Sequence, residues 1–275
     1  MNAQFAKKVG IAVLICCCLF AGGCANAKDE KPTPETAKRF LKLRGYNFDE
    51  KSFFSAAGKS DLIAVNGFLV AGVNPNAKDE NGDTALTSTA ARGDLKIVDA
   101  LLQGKADVNA KGRNGWTALL LALDGERDEV SDLLLAEPNI DLKAESPSGM
   151  TALMQAVWHE RLAIVRKLLD RGVDLNHQDK DGDTSVHGAA FFGNVDILHV
   201  LLTRGANPNV KNKLGGTALM WAASYGHEEI VRVLLEKGAD ARVKDVDGVT
   251  AAGWAAKNGQ SNIAMLVREA EKRKQ

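Results

Sequence analysis

Cysteine is nearly missing from this 275-residue chain. All four are N-terminal: Cys16, Cys17, Cys18 and Cys24. From residue 25 onward no thiol occurs, which excludes a disulfide framework, a cysteine-ligated zinc site and a cysteine nucleophile from the whole remainder. Net charge is missing too, because 35 Lys and Arg balance 35 Asp and Glu. A nucleic-acid binder needs a basic face to neutralise phosphates. The one basic run, Arg268, Lys272, Arg273 and Lys274, alternates with Glu269 and Glu271, as on a solvated terminal helix. No nucleic-acid partner is therefore expected. Aromatic residues make up only 5% of the chain, so where they stand carries information.

The N-terminus reads as an export signal. Lys7 and Lys8 precede "VGIAVLICCCLFAGG" (9–23), an apolar run of about fifteen residues that is short for a membrane span. Two processing sites compete after it. "FAGGC" (20–24) resembles the lipobox of bacterial lipoproteins, which implies cleavage after residue 23 and lipidation of Cys24. Ala21 stands where lipoboxes carry Leu. "ANA" (25–27) would instead release a soluble protein beginning at Lys28. The lipobox is favoured, since Cys24 has no other evident role, and an uncleaved anchor is disfavoured by the short run. Loss of residues 1–23 removes two lysines from a neutral chain and leaves a mature charge of 0 − 2 = −2. Ala25 next to the lipid-bearing position lacks the aspartate linked to inner-membrane retention, which favours the outer membrane. Residues 24–36 read as a polar tether with two prolines. Thr33 suits a helix N-cap with Pro34 at the first helical position. The helix that follows should bury Ala37, Phe40 and Leu41 and stop at Gly45.

Beyond residue 45 the chain repeats. Thr84, Thr117, Thr151, Thr184, Thr217 and Thr250 are spaced 33, 34, 33, 33 and 33 residues apart. Each follows a glycine two positions earlier (Gly82, Gly115, Gly149, Gly182, Gly215, Gly248) and precedes a stretch of small residues. An apolar run comes next, as in "IVDALL" (97–102) and "IVRVLL" (230–235). The segment after each threonine reads as a short helix with an alanine stripe. The apolar run reads as a second, in which Ile230, Val231, Leu234 and Leu235 form one buried face. Gly238 suits a left-handed cap, and the Asn-Gly and Asp-Gly pairs suit tight turns with positive φ. Helices this short need neighbours to stack on.

"DGDTSVHGAAFFGNVDILHVLLTRGANPN" (181–209) and "GGTALMWAASYGHEEIVRVLLEKGAD" (215–240) resemble ankyrin repeats. The likeness covers residues 46–275 in seven units: 46–78, 79–111, 112–145, 146–178, 179–211, 212–244 and 245–275. The fold it implies is all-α, a solenoid of about seven helix-turn-helix units with short β-turn tips. Unit three has Glu126 at the mid-repeat glycine and an extra residue near Pro138, so it should be the least regular.

Several apparent motifs lose their chemistry within this frame. "GKS" (58–60) lacks the upstream glycine of a phosphate loop, since position 53 is Phe53. "DKDGD" (179–183) has its glycine two places too early for a calcium loop. "HERLA" (159–163) lacks the second histidine of a zinc-protease helix. The histidines otherwise scatter over the repeats, with His187 and His227 at the family's structural positions. No catalytic residue, cofactor or metal is implied, and the chain is read as non-enzymatic.

In ankyrin repeats the free positions are the turn tip and the two residues before the mid-repeat glycine, which line one concave face. Here these positions hold Trp116, Met150, Trp158, His159, Phe191, Phe192 and Tyr225. Five of the eighteen positions considered are aromatic, far above the 5% of the whole chain. They are expected to form one apolar stripe that binds a partner protein. Trp221 and Trp254 are assigned to packing instead. The resulting expectation is a monomeric protein-interaction module of the bacterial envelope on the periplasmic side, lipid-anchored at Cys24. An inhibitor or immunity protein against an envelope toxin or hydrolase, and a structural spacer, are the alternatives.

Overall fold

A computed structural model describes residues 32–273. Cys24, both cleavage sites, the apolar run and most of the tether lie outside the described residues, as does Lys274. The described chain is all-helical, with fifteen α-helices and no strand among the described residues. It falls into two compact units, one ending at Ile140 and one beginning at Asp141.

The first unit holds α1 (Pro34–Leu43), α2 (Glu50–Gly58), α3 (Leu62–Ala71), α4 (Ala85–Arg92), α5 (Leu95–Gln103), α6 (Ala118–Asp124) and α7 (Asp128–Leu135). Helix α1 starts as expected. The Thr33 hydroxyl accepts from the Thr36 N–H, Ala37, Phe40 and Leu41 are buried, and Gly45 beyond the end has φ +82°. Phe53 and Phe68 are fully buried, and with Tyr46 and Phe48 they close this end of the chain. The apparent phosphate loop is a helix end. Gly58 is the last residue of α2, Lys59 lies over the Tyr46 ring, and the Ser60 hydroxyl bonds the Asp94 carboxylate.

Irregularity in the third repeat has a local cause. The other tips in repeats two and five to seven begin with Asp79, Asp179, Asn212 and Asp245, whose side-chain oxygens accept two backbone N–H groups each. At that position repeat three has Gly112, which has no side-chain acceptor to offer. The turn tightens into a 3-10 segment, Arg113–Gly115, with Asn114 at φ 58°, and the Arg113 N–H turns to Asp83 of the preceding tip at 2.7 Å. Glu126 sits at φ 56° where a glycine would be unstrained, as the sequence suggested. Ser60 and Glu160 occupy the same register at φ 55° and 56°, a substitution the sequence reading passed over.

The second unit holds α8 (Ala152–Trp158), α9 (Leu162–Asp170), α10 (Ser185–Phe192), α11 (Val195–Thr203), α12 (Ala218–Tyr225), α13 (Glu228–Glu236), α14 (Ala251–Lys257) and α15 (Ser261–Arg273). The first helices of its repeats, α8, α10, α12 and α14, pack side by side, and the second helices do the same behind them. Alanines at the fully buried positions 156, 189, 190, 222, 223 and 255 permit that close approach. On α13 the buried face is narrower than expected: Ile230, Val231 and Leu234 are buried, whereas Leu235 is half-buried. Gly182, Gly238 and Gly248 take the expected positive φ, at 82°, 91° and 74°.

Neighbouring repeats are also stitched through backbone groups. The Asn176 side chain accepts from the Asn207 N–H at 2.8 Å, and Asn209 accepts from Asp240 at 2.7 Å. Each satisfies a donor that would otherwise have only solvent. At the tips, Lys180, Lys213 and Val246 donate to the carbonyls of Ser148, Asp181 and Leu214, at 2.9, 2.9 and 3.0 Å. The Asp179 carboxylate oxygen that a calcium loop would need is engaged with the Asp181 and Asp183 amides.

Candidate interaction site

The C-terminal ends of α8, α10 and α12 bring five large rings together. Phe191, last but one in α10, is the hub. The Trp158 ring stacks parallel to it at 5.9 Å and 7°. Phe192, Trp221 and Tyr225 meet it edge-on at 4.8, 5.4 and 4.7 Å. Trp158 also meets Phe192 edge-on at 5.0 Å, and Trp221 stacks on Tyr225 at 6.1 Å and 16°. Offset-stacked and edge-to-face pairs at such distances are attractive beyond their buried area, by about 0.5–1.5 kcal/mol each. So Phe191 and Phe192 do not share a core. They are half-buried against each other and against rings from the adjacent repeats.

His227 fixes this platform from one side. Its Nε2–H donates to the Phe191 carbonyl at 2.9 Å, and its ring stacks near Tyr225 at 6.5 Å. The imidazole lies directly over Gly193, where an added Cβ would stand 2.6 Å from Nδ1. Gly193 has φ +73°, so both the backbone and the overlying ring require glycine. The other end of α10 is held by His187, which is 2% exposed. Its Nδ1 accepts from the Thr184 N–H at 3.1 Å, and its Nε2–H donates to the Gly216 carbonyl at 3.3 Å. Both bonds together demand the neutral ring. Burial holds its pKa below the ordinary histidine value, only partly offset by the nearby Asp183 carboxylate.

The seven residues singled out from the sequence do not all meet. Trp158, Phe191, Phe192 and Tyr225 do, and Trp158 (48%) and Tyr225 (52%) are the exposed ones. His159 is half-buried and caps α8. Met150 lies in the turn before α8, so about 10 Å of helix separates it from Trp158. Trp116 belongs to the first unit, where it is half-buried and receives the Gly112 N–H on its carbonyl. Within the second unit the expected stripe resolves into a platform of helix ends, from which the turn residue Met150 stands apart. Trp221, assigned to packing, is half-buried yet part of the platform. The sequence signal for it was its place one turn before Tyr225, on the same helix face. Trp254 packs as expected, its Nε1–H donating to Asp245 at 2.7 Å.

A family model described as ankyrin repeats (3 copies) matches residues 53–146, 114–179 and 186–275. The chain belongs to the ankyrin-repeat family. Among solved structures it is similar to the ankyrin repeat domain of Bcl-3, described as a unique member of the IkappaB protein family. That likeness has a TM-score of 0.69 at 28% identity, over 79% of this chain and 97% of that one. It is also similar to an ankyrin repeat domain from Acinetobacter baumannii AYE, with a TM-score of 0.62 at 30% identity, over 67% of this chain and 96% of the other. No curated protein sequence matches. Ankyrin repeat domains generally mediate protein–protein interaction, and the fold is typically a non-enzymatic scaffold.

Proposed function

We propose that this chain is a non-catalytic module that binds a partner protein through the platform of Trp158, Phe191, Phe192, Trp221 and Tyr225. One observation carries the reading. Trp158 and Tyr225 expose about half their surface at positions where other repeats carry Arg92, Asp124, Lys257 and Asn258. The fold accepts polar residues in that register, so it does not demand aromatic ones there. Exposed Trp and Tyr held in a rigid apolar patch are what binding hot spots are made of. Rigid display keeps the ordering cost of association low.

The sequence supports an envelope setting, with export, lipidation at Cys24 and display on the periplasmic face of the outer membrane. The test is site-specific photo-crosslinking in native cells, with the cross-linking residue placed at position 158 or 225 and a control at Arg166 on the outer helix α9. One defined protein adduct from positions 158 and 225 and none from the control is the expected result. Equal adducts from all three would defeat the platform reading. Fractionation of a Cys24→Ser variant tests the anchor: the protein should leave the membrane fraction, and its retention there would contradict lipidation.

A further inference from the structure

The second helix of a repeat can be secured at its start, in its middle and at its end, and α7 is secured at none of the three. At the start, Asp61, Asp94 and Asn194 cap α3, α5 and α11, each accepting a backbone N–H on its side chain. Arg127 precedes α7 and makes no such bond. Arg161 and His227 before α9 and α13 share that lack, so the start alone does not set α7 apart.

The middle does. Val65, Val98, Val165, Leu198 and Val231 occupy one register of the core, each fully buried. In α7 that register holds Ser131, buried just as completely, and its hydroxyl has no hydrogen-bond partner. A buried hydroxyl left unpaired and a side chain too small for its site both weaken the packed helix. The end differs as well. Gly72, Lys105, Gly172, Gly205 and Gly238 follow the other second helices at φ +90°, +65°, +72°, +96° and +91°. That left-handed residue turns the next N–H groups back onto the helix, as where Ala206 donates to the Leu201 carbonyl at 3.1 Å and Ala239 to Leu234 at 2.9 Å. Pro138 holds the place after α7, and its ring fixes φ near about −65°. Helix α7 is also the shortest of the six, with 8 residues against 9 or 10. A helix so short does not persist without packing. Asp128 and Glu129 in its first turn suit the helix dipole, but both are exposed, where that effect is small.

We propose that α7 opens locally while the rest of the described chain stays folded, which makes it a conformational joint in the stack and the first point at which a protease enters the repeats. In a repeat array stability is close to a sum of local contributions, so one deficient element opens without the others. The joint is independent of the platform, whose rings all belong to the second unit. The test is hydrogen exchange of the full chain under native conditions, read by mass spectrometry on peptides covering α5, α7 and α9. Amides of α7 should exchange at least about tenfold faster than those of α5 and α9. Ser131→Val should slow them at least about tenfold. Ser131→Ala, which removes the hydroxyl and adds no volume, should slow them in the same direction and guards against a valine that packs badly. Brief digestion with a protease that cuts at apolar residues should make its first cut in the repeats within α7, and Ser131→Val should delay that cut. Amides of α7 protected as well as those of α5 and α9 overturn the inference. So does exchange that neither Ser131 variant slows, or a first cut in another repeat.

Discussion

The two units use aromatic residues in opposite ways. In the first, Phe53 and Phe68 have no exposed surface, and Tyr46, Phe48 and Phe54 lie around them. In the second, five rings gather at helix ends, and the two outermost, Trp158 and Tyr225, are about half exposed. The first cluster closes the end of the described repeat stack, where α1 and the Tyr46 and Phe48 rings cover α3. The second lies among complete repeats, where alanine already fills the inter-helix space and large rings can only extend outward. Identical ring chemistry therefore reports stability in one place and recognition in the other, and burial is what separates them.

The difference can be broken from either side. The largest effect is expected for Phe68→Ala, which empties a fully buried site. It should cost about 3–5 kcal/mol in denaturant unfolding. Next comes Gly193→Ala, which combines a left-handed backbone with a clash against His227. It should cost about 2 kcal/mol and perturb the fluorescence of Trp158 and Trp221 as the Phe191 anchor shifts. His187 gives a pH signature of intermediate size. Its pKa in the folded chain lies below the ordinary 6.5, chiefly through burial. The unfolded chain therefore takes up a proton near pH 6.5 and the folded chain resists. Stability present above that pH is lost as pH falls below it, by up to about 1.4 kcal/mol per unit. Asp183, whose pKa burial raises, acts in the opposite sense at lower pH. Replacing His187 with Gln should flatten the difference between melts at pH 7 and pH 5, and an undiminished difference would place the proton elsewhere. Tyr225→Ala should cost about 1–3 kcal/mol, less than Phe68→Ala: half its surface is already in water, and what is lost is chiefly the ring contacts with Phe191 and Trp221.

How much of this was legible in the sequence follows from the range of each interaction. The threonine register, the glycine turns and the Thr33 cap are local features that announce themselves within a few residues. The fold was readable for that reason. The platform was half-readable. Phe191, Phe192, Trp158 and Tyr225 were visible as misplaced aromatics, because the repeat shows what those positions can otherwise hold. Their separation from Met150 depends on helix length in space, and Trp221's membership depends on which way a ring leans between two helices. The repeat position marks His227 as structural, but that it clamps Phe191, 36 residues away, shows only in space. Gly193 is legible as the mid-repeat glycine, whereas the imidazole of His227 that lies over it shows only in space.

The account's central claim is that the exposed rings serve binding and not folding. The most direct measurement is to make Trp158→Ala and Tyr225→Ala together, then record equilibrium unfolding and cross-linked partner capture on the same preparation. The account predicts a variant that is less stable through the lost ring contacts yet still unfolds in one cooperative transition, with capture reduced at least tenfold. A large loss of stability with capture intact would contradict it and make the second cluster, like the first, part of the core.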